Sequence, residues 1–242
     1  MVFRRLREYV RFLKSLFRTT RRLCWGMWKL TSLPQPAITI FGGARVQLDS
    51  ELAKKAEQLA LLLARDGFSI ITGGGPGIME AANMGAFNAI KDCVIDGAHC
   101  AVREVSAGIG LVRLNRERVN PFVQKNIIME HFFARKWLLV RYSVGFIVFP
   151  GGFGTLDELF ETLTLIQCNR MARVPVVLFD STFWNPISVW IEQQALARGL
   201  LSQEDAALVI ITDSIAEAFS VIKQGATGQK KSVLHDETTV KE

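Results

Sequence analysis

A repeated pairing most constrains this chain: a short run of apolar residues ends at a turn, and a stretch with helical periodicity follows. AITIF (37–41) ends at Gly42-Gly43 and precedes a helical pattern over 50–66. FSIIT (68–72) runs into GGGPG, followed by a helical pattern over 77–91. VSAGIGLVRL (105–114) reads as a strand, and 131–142 reads as a helix. VGFIVF (144–149) leads through PGGFGT into a helix ending near 167. VPVVLF (174–179), a helix near 184–198, LVIIT (208–212) and a helix near 214–223 complete the series. Strands that are apolar along their length are buried on both faces, and intervening helices are the crossovers that parallel pairing needs. The expected fold class is α/β, a doubly wound parallel sheet with helices on both faces.

The chain of 242 residues is 49% hydrophobic, enough for one filled core with appendages. No apolar run reaches the length of a membrane span. The net charge of +6 is unevenly placed. Residues 1–30 carry nine Lys/Arg against Glu8 alone, a net of +8, which leaves −2 for the remainder. Basicity confined to one segment does not support a nucleic-acid partner. In that segment Phe3, Leu6, Val10, Leu13 and Phe17 recur at three- and four-residue steps, predicting a basic amphipathic helix. Two readings stand: a helix docked on the body or on a second subunit, or a peripheral membrane-surface helix. TSLPQP (31–36) reads as a linker, 37–224 as the α/β domain, and 225–242 as a polar, disordered tail.

Cys24, Cys93, Cys100 and Cys168 form no CxxC pair and read as free thiols of a reducing, cytoplasmic compartment. His99, His131 and His235 lack metal-ligand spacing, so neither metal nor cofactor is expected.

Three glycine corners fall at strand ends: Gly42-Gly43, Gly73 to Gly77, and Gly151 to Gly154. Ligands of open parallel sheets bind beyond the carboxyl ends of the strands. A helix that starts right after such a turn directs free N–H groups at an anion, and Thr155 adds a hydroxyl. The third corner therefore reads as a phosphate cradle. Asp157 and Glu158 are expected in the first helical turn, where complementing the helix dipole would account for them. A carboxylate beside a phosphate is repelled unless a sugar hydroxyl, a water or a developing cation uses it. F-G-G-A-R-V is not GxGxxG, and GGGPGIME lacks the GK[ST] of a P-loop. Gly74, Gly75 and Glu80 are further candidates at the second corner.

GGGPGIMEAAN (73–83), FFARK (132–136) and PGGFGTLDE (150–158) together resemble the LOG ("lonely guy") family of nucleotide phosphoribohydrolases, whose members are often mislabelled lysine decarboxylases. FGGAR (41–45) is similar to its bacterial branch, and the resemblance covers roughly 37–215. It implies a Rossmann-like fold and a homodimer or higher oligomer with sites completed across the interface. It also implies hydrolysis of nucleoside 5′-monophosphates, such as AMP or cytokinin ribotides, to free base and ribose 5-phosphate. Carried over by position, Arg135 and Glu158 match the catalytic pair. Lys136, Gly152, Phe153, Gly154, Thr155, Leu156 and Asp157 match nucleotide-binding positions, and Glu117 and Thr164 are carried over with them. Glu158 would stabilise an oxocarbenium-like state and take a proton from water. Arg135, charged at neutral pH, would bind phosphate or base and hold Glu158 ionised. Residues 91–104, KDCVIDGAHCAVRE, exceed the link usual in that family and put base specificity in question. Lys136 lacks the context of a pyridoxal-phosphate lysine. The alternative class is a non-catalytic carrier or sensor of a phosphorylated ligand, as in molybdenum-cofactor carriers of similar fold.

Overall fold

The computed structural model describes residues 2–95, 104–112 and 118–236. Most of the 91–104 insertion, and Glu117, lie outside the described residues.

Seven parallel strands form one sheet: β1 (Ala37–Phe41), β2 (Ser69–Thr72), β3 (Ser106–Leu111), β4 (Lys125–Met129), β5 (Ser143–Val148), β6 (Val176–Phe179) and β7 (Val209–Thr212). Their order is β4-β3-β2-β1-β5-β6-β7. The α/β expectation holds. Alternate residues of one strand feed opposite cores. Ile38 and Ile40 of β1 pack with Ile70, Ile147 and Val177 on one face, whereas Ala37 and Phe41 pack with Ile71, Phe146 and Val148 on the other. Continuous apolar runs are the consequence, because both side-chain directions are buried.

Helices α2 (Glu51–Arg65), α3 (Ile78–Ile95) and α8 (Ile215–Asp236) contribute to the first core. The end of α1 (Val2–Thr31), α4 (Phe132–Arg141), α5 (Phe153–Gln167) and α6 (Ser181–Trp190) contribute to the second. A π-helical turn, Ile191–Leu196, continues α6, and the short α7 (Gln203–Ala206) precedes β7.

Three features differ from the sequence reading. β4 was not expected; it is an edge strand in which Ile127 and Met129 are buried while Lys125, Asn126 and Ile128 are not. The backbone of α8 stays helical past Gly225, to Asp236. The 31–36 stretch is packed against the domain: Leu33 is buried, Ser69 Oγ donates to Pro34 O (2.7 Å), and Ser69 N donates to Pro36 O (3.0 Å).

The chain builds β1 to β4 outward on one side, then returns to place β5 on the other side of β1. This reversal leaves a crevice beyond the ends of β1 and β5, the place where sheets of this kind bind ligands. Two of the glycine corners meet there.

Candidate active site

The corners after β1 and β5 are joined by backbone. Phe149 N donates to Phe41 O (2.9 Å) and Gly43 N donates to Pro150 O (2.9 Å). The corner leading into α3 closes on them through Ile78 N and Gly43 O (3.1 Å). Gly151 has to be glycine: a Cβ there would overlap the Thr155 hydroxyl. Gly152 caps α5 with extended backbone, and Cβ atoms at Gly152 or Gly154 would stand in open space. Phe153 is 92% exposed. The opening turn of α5 is thus uncovered: Thr155 N and Leu156 N donate to Gly152 O (3.0 and 3.1 Å), and the Phe153 and Gly154 amides take no partner among the described residues. Thr155 is buried beneath that turn, and Leu156 packs into the core.

The helix begins at Phe153, so Asp157 and Glu158 lie in the second turn, and no acid occupies the first. This corrects the sequence placement, which took the glycines as turn. The helix dipole falls off within the first turn, so dipole complementation does not account for the two carboxylates.

Glu158 faces Arg135. Arg135 Nη1 donates to Glu158 Oε1 (2.9 Å), and its Nε donates to Ile109 O at the end of β3 (2.9 Å). Only 11% of the arginine side chain and 12% of the glutamate side chain are exposed. The guanidinium also abuts Gly73, where any Cβ would collide with it. One cation therefore ties together the β2 corner, β3 and α5. Among the described residues, Glu158 Oε2 takes no hydrogen bond and is the oxygen left for a ligand. Burial pushes the Glu158 carboxyl above its usual range, with the Arg135 charge pulling the other way. The Arg135 charge favours the ionised form, and desolvation outweighs it.

Lys136 points to the outer side of the same helices. Its Nζ meets Asp157 Oδ1 (3.0 Å) and Glu161 Oε2 (2.9 Å). Burial acts to lower its pKa, but the two carboxylates outweigh that and hold it above the ordinary value. Lys136 and Asp157 are therefore paired with each other, in a clamp between α4 and α5. Thr164 is exposed, further along α5, and donates to Phe160 O (2.7 Å); it is not brought to the Arg135–Glu158 pair. Glu80 sits half-buried in the first turn of α3.

Sequence reading missed a buried polar network under the second corner. Thr72 Oγ1 donates to Asn83 Oδ1 (2.7 Å) and accepts from Gly74 N (2.9 Å). Asn120 Nδ2 donates to Gly75 O (2.9 Å) and to Asn83 Oδ1 (3.0 Å), while Asn83 Nδ2 donates to Ser106 Oγ (2.8 Å). Gly74 and Gly75 are held by this network and line a recess of about 70 Å³ with Gly110 and Arg118. The available signal was Asn83 itself, a polar residue among the alanines of GGGPGIMEAAN. A larger groove of about 870 Å³ runs past Lys136, Trp137 and Glu161 on the outer face. No cluster of His, Cys, Asp or Glu among the described residues is placed to hold a metal ion.

Among known proteins, a cytokinin riboside 5′-monophosphate phosphoribohydrolase of Rhodococcoides fascians is 24% identical over 78% of this chain and 91% of its own length. A pyrimidine/purine nucleotide 5′-monophosphate nucleosidase of Escherichia coli (strain K12) is 34% identical over 46% of this chain and 24% of its own length. Among solved structures, the molybdenum cofactor binding protein of Rippkaea orientalis superposes with a TM-score of 0.53 at 26% identity, covering 80% of this chain and 98% of that one. The family model described as "Possible lysine decarboxylase" matches residues 79–222, which hold Arg135, Glu158 and the third glycine corner. The chain therefore belongs to this family, that of the LOG proteins.

Proposed function

We propose that this protein hydrolyses the N-glycosidic bond of nucleoside 5′-monophosphates, AMP or a cytokinin riboside 5′-monophosphate, to free base and ribose 5-phosphate. The observation that carries the reading is the buried Arg135–Glu158 pair beside the uncovered start of α5, at the sheet's reversal point.

The start of α5, with the free Phe153 and Gly154 amides, anchors the 5′-phosphate and so places C1′ near Glu158. As the C1′–N bond breaks, its electron pair leaves with the base and C1′ gains positive charge. The Glu158 carboxylate stabilises that charge and takes a proton from the water that adds to C1′. The departing base takes up a proton, so the nucleotide and one water become base and sugar phosphate. Arg135 cannot release a proton near neutral pH; it orients Glu158 and offers its remaining N–H groups to the nucleotide. Lys136 and Asp157 act from the clamp, and a second copy of the chain completes the site.

The test is incubation with AMP, GMP, CMP, UMP and isopentenyladenosine monophosphate, scoring free base by chromatography. Wild type is expected to release base. Glu158→Gln should keep the fold and lose turnover by about 10²- to 10⁴-fold. Unchanged turnover in that variant would remove Glu158 from the chemistry. The likeness to the Rippkaea orientalis protein favours one second reading, a carrier that holds a phosphorylated pterin without cleaving anything. A fluorescent pterin in the purified protein, with no base released from any nucleotide, would establish it instead.

A further inference from the structure

The first helix uses only part of its surface on the body. Leu30 is fully buried, and Leu23 and Met27 pack against the same core. Lys29 Nζ donates to Asn126 O (2.9 Å), and Arg22 Nη2 pairs with Glu130 (3.5 Å). A second apolar stripe lies roughly a third of a turn round the helix axis from this buried one. Val10, Leu13 and Phe17 form it, and Trp28 continues it; Leu13 is 59% exposed, Phe17 70% and Trp28 68%. Lys14 and Arg18 border it, along a groove of about 480 Å³. Arg5, Arg7, Arg11 and Lys14 are exposed and have no ion-pair partner among the described residues.

We propose that this face of the first helix seats the protein on an anionic lipid surface. The residues that anchor the helix to the body, Leu23, Met27 and Leu30, are not those of the stripe, which stays bare; Tyr9, Phe12 and Leu16, nearer the helix start, are exposed beside it. A second copy fits poorly: it would bring another +8 segment, and the rest of the chain, at −2, offers no comparable negative excess. An anionic bilayer matches both faces, because its headgroups take the cations and its acyl boundary takes Leu13, Phe17 and Trp28. No helix among the described residues is long and apolar enough to cross a membrane, so the helix lies along the surface.

The experiment is sedimentation of the full chain with vesicles of phosphatidylcholine alone, or of phosphatidylcholine with phosphatidylglycerol. Binding to the anionic vesicles is expected, weakening as salt is raised. Arg7→Gln, Arg11→Gln and Lys14→Gln should each reduce partitioning about fivefold. Leu13→Gln with Phe17→Gln should abolish it, with the melting temperature unchanged because neither side chain is part of the core. Equal sedimentation with both vesicle types, or none with either, would overturn the proposal. So would a Leu13/Phe17 variant that binds vesicles as wild type does, or one that merely dissociates an oligomer.

Discussion

At the scale of single residues, the site turns on one buried carboxylate. An ordinary glutamate titrates at about 4.3. Burial raises the Glu158 carboxyl above that, against the pull of Arg135. If the ionised form is the active one, lowering the pH removes activity as Glu158 takes up a proton, and the raised pKa moves this loss to higher pH. The acid limb of kcat/KM is therefore expected above the ordinary carboxylate range. Arg135→Gln deletes the charge that opposes desolvation, so it should shift the Glu158 titration further upward, read directly by carboxyl-carbon NMR. A downward shift would mean that the guanidinium does not stabilise the carboxylate. This pair was singled out only through the motif resemblance, since a lone Arg-Lys on a helix reads as a solvated face. Glu161 was not legible at all. Its role arises from a lysine 25 positions earlier that folding brings to 2.9 Å.

At the scale of elements, sequence served best where one strong constraint acts. β1, β5 and β6 are apolar at nearly every position because both faces are covered, and their limits were read to within two residues. β4 escaped because an edge strand has one unpaired side; Lys125 and Asn126 open it, and its pattern resembles a loop. The start of α5 was misplaced because glycines that normally end helices here begin one. The loop after β2 shows what the sequence pattern hides: its shape is set by Asn83 on α3 and by Asn120 beyond β3. Asn83→Ala strips partners from the Thr72 hydroxyl and from the Asn120 amide inside the protein. A cost of about 1–3 kcal/mol is expected in urea denaturation, the range for a buried polar group left unsatisfied. The same variant should raise KM for the nucleotide, because Gly74 and Gly75 lose the network that fixes them. A stability change of a few tenths of a kcal/mol would show that solvent replaces the missing amide.

At the scale of the whole molecule, the sequence divided the chain at a proline-bearing linker, while the packing joins the two sides. Leu30 and Leu33 flank the proposed boundary, and both are buried in the core that contains Phe41, Phe146 and Leu138. Gly26 presses so close to Leu138 and Met129 that a Cβ there would displace them. The end of the first helix therefore covers the β4 side of the sheet, with Arg18 and Arg22 on Glu130 and Ser15 Oγ at 3.2 Å from His131 Nε2, immediately before α4. Arg135 N donates to His131 O (3.2 Å), so the first helix touches the residue that opens α4, the helix that carries Arg135. Leu30→Ala should cost about 2–5 kcal/mol, as for a large side chain removed from a filled core. Because that core is shared, the loss should appear in one cooperative transition, with tryptophan fluorescence, to which Trp25 and Trp28 of the first helix contribute, and far-ultraviolet circular dichroism changing together. Two separated transitions, with only part of the tryptophan fluorescence moving in the first and the sheet unaffected, would show the first helix to be an appendage whose packing contributes nothing to the domain.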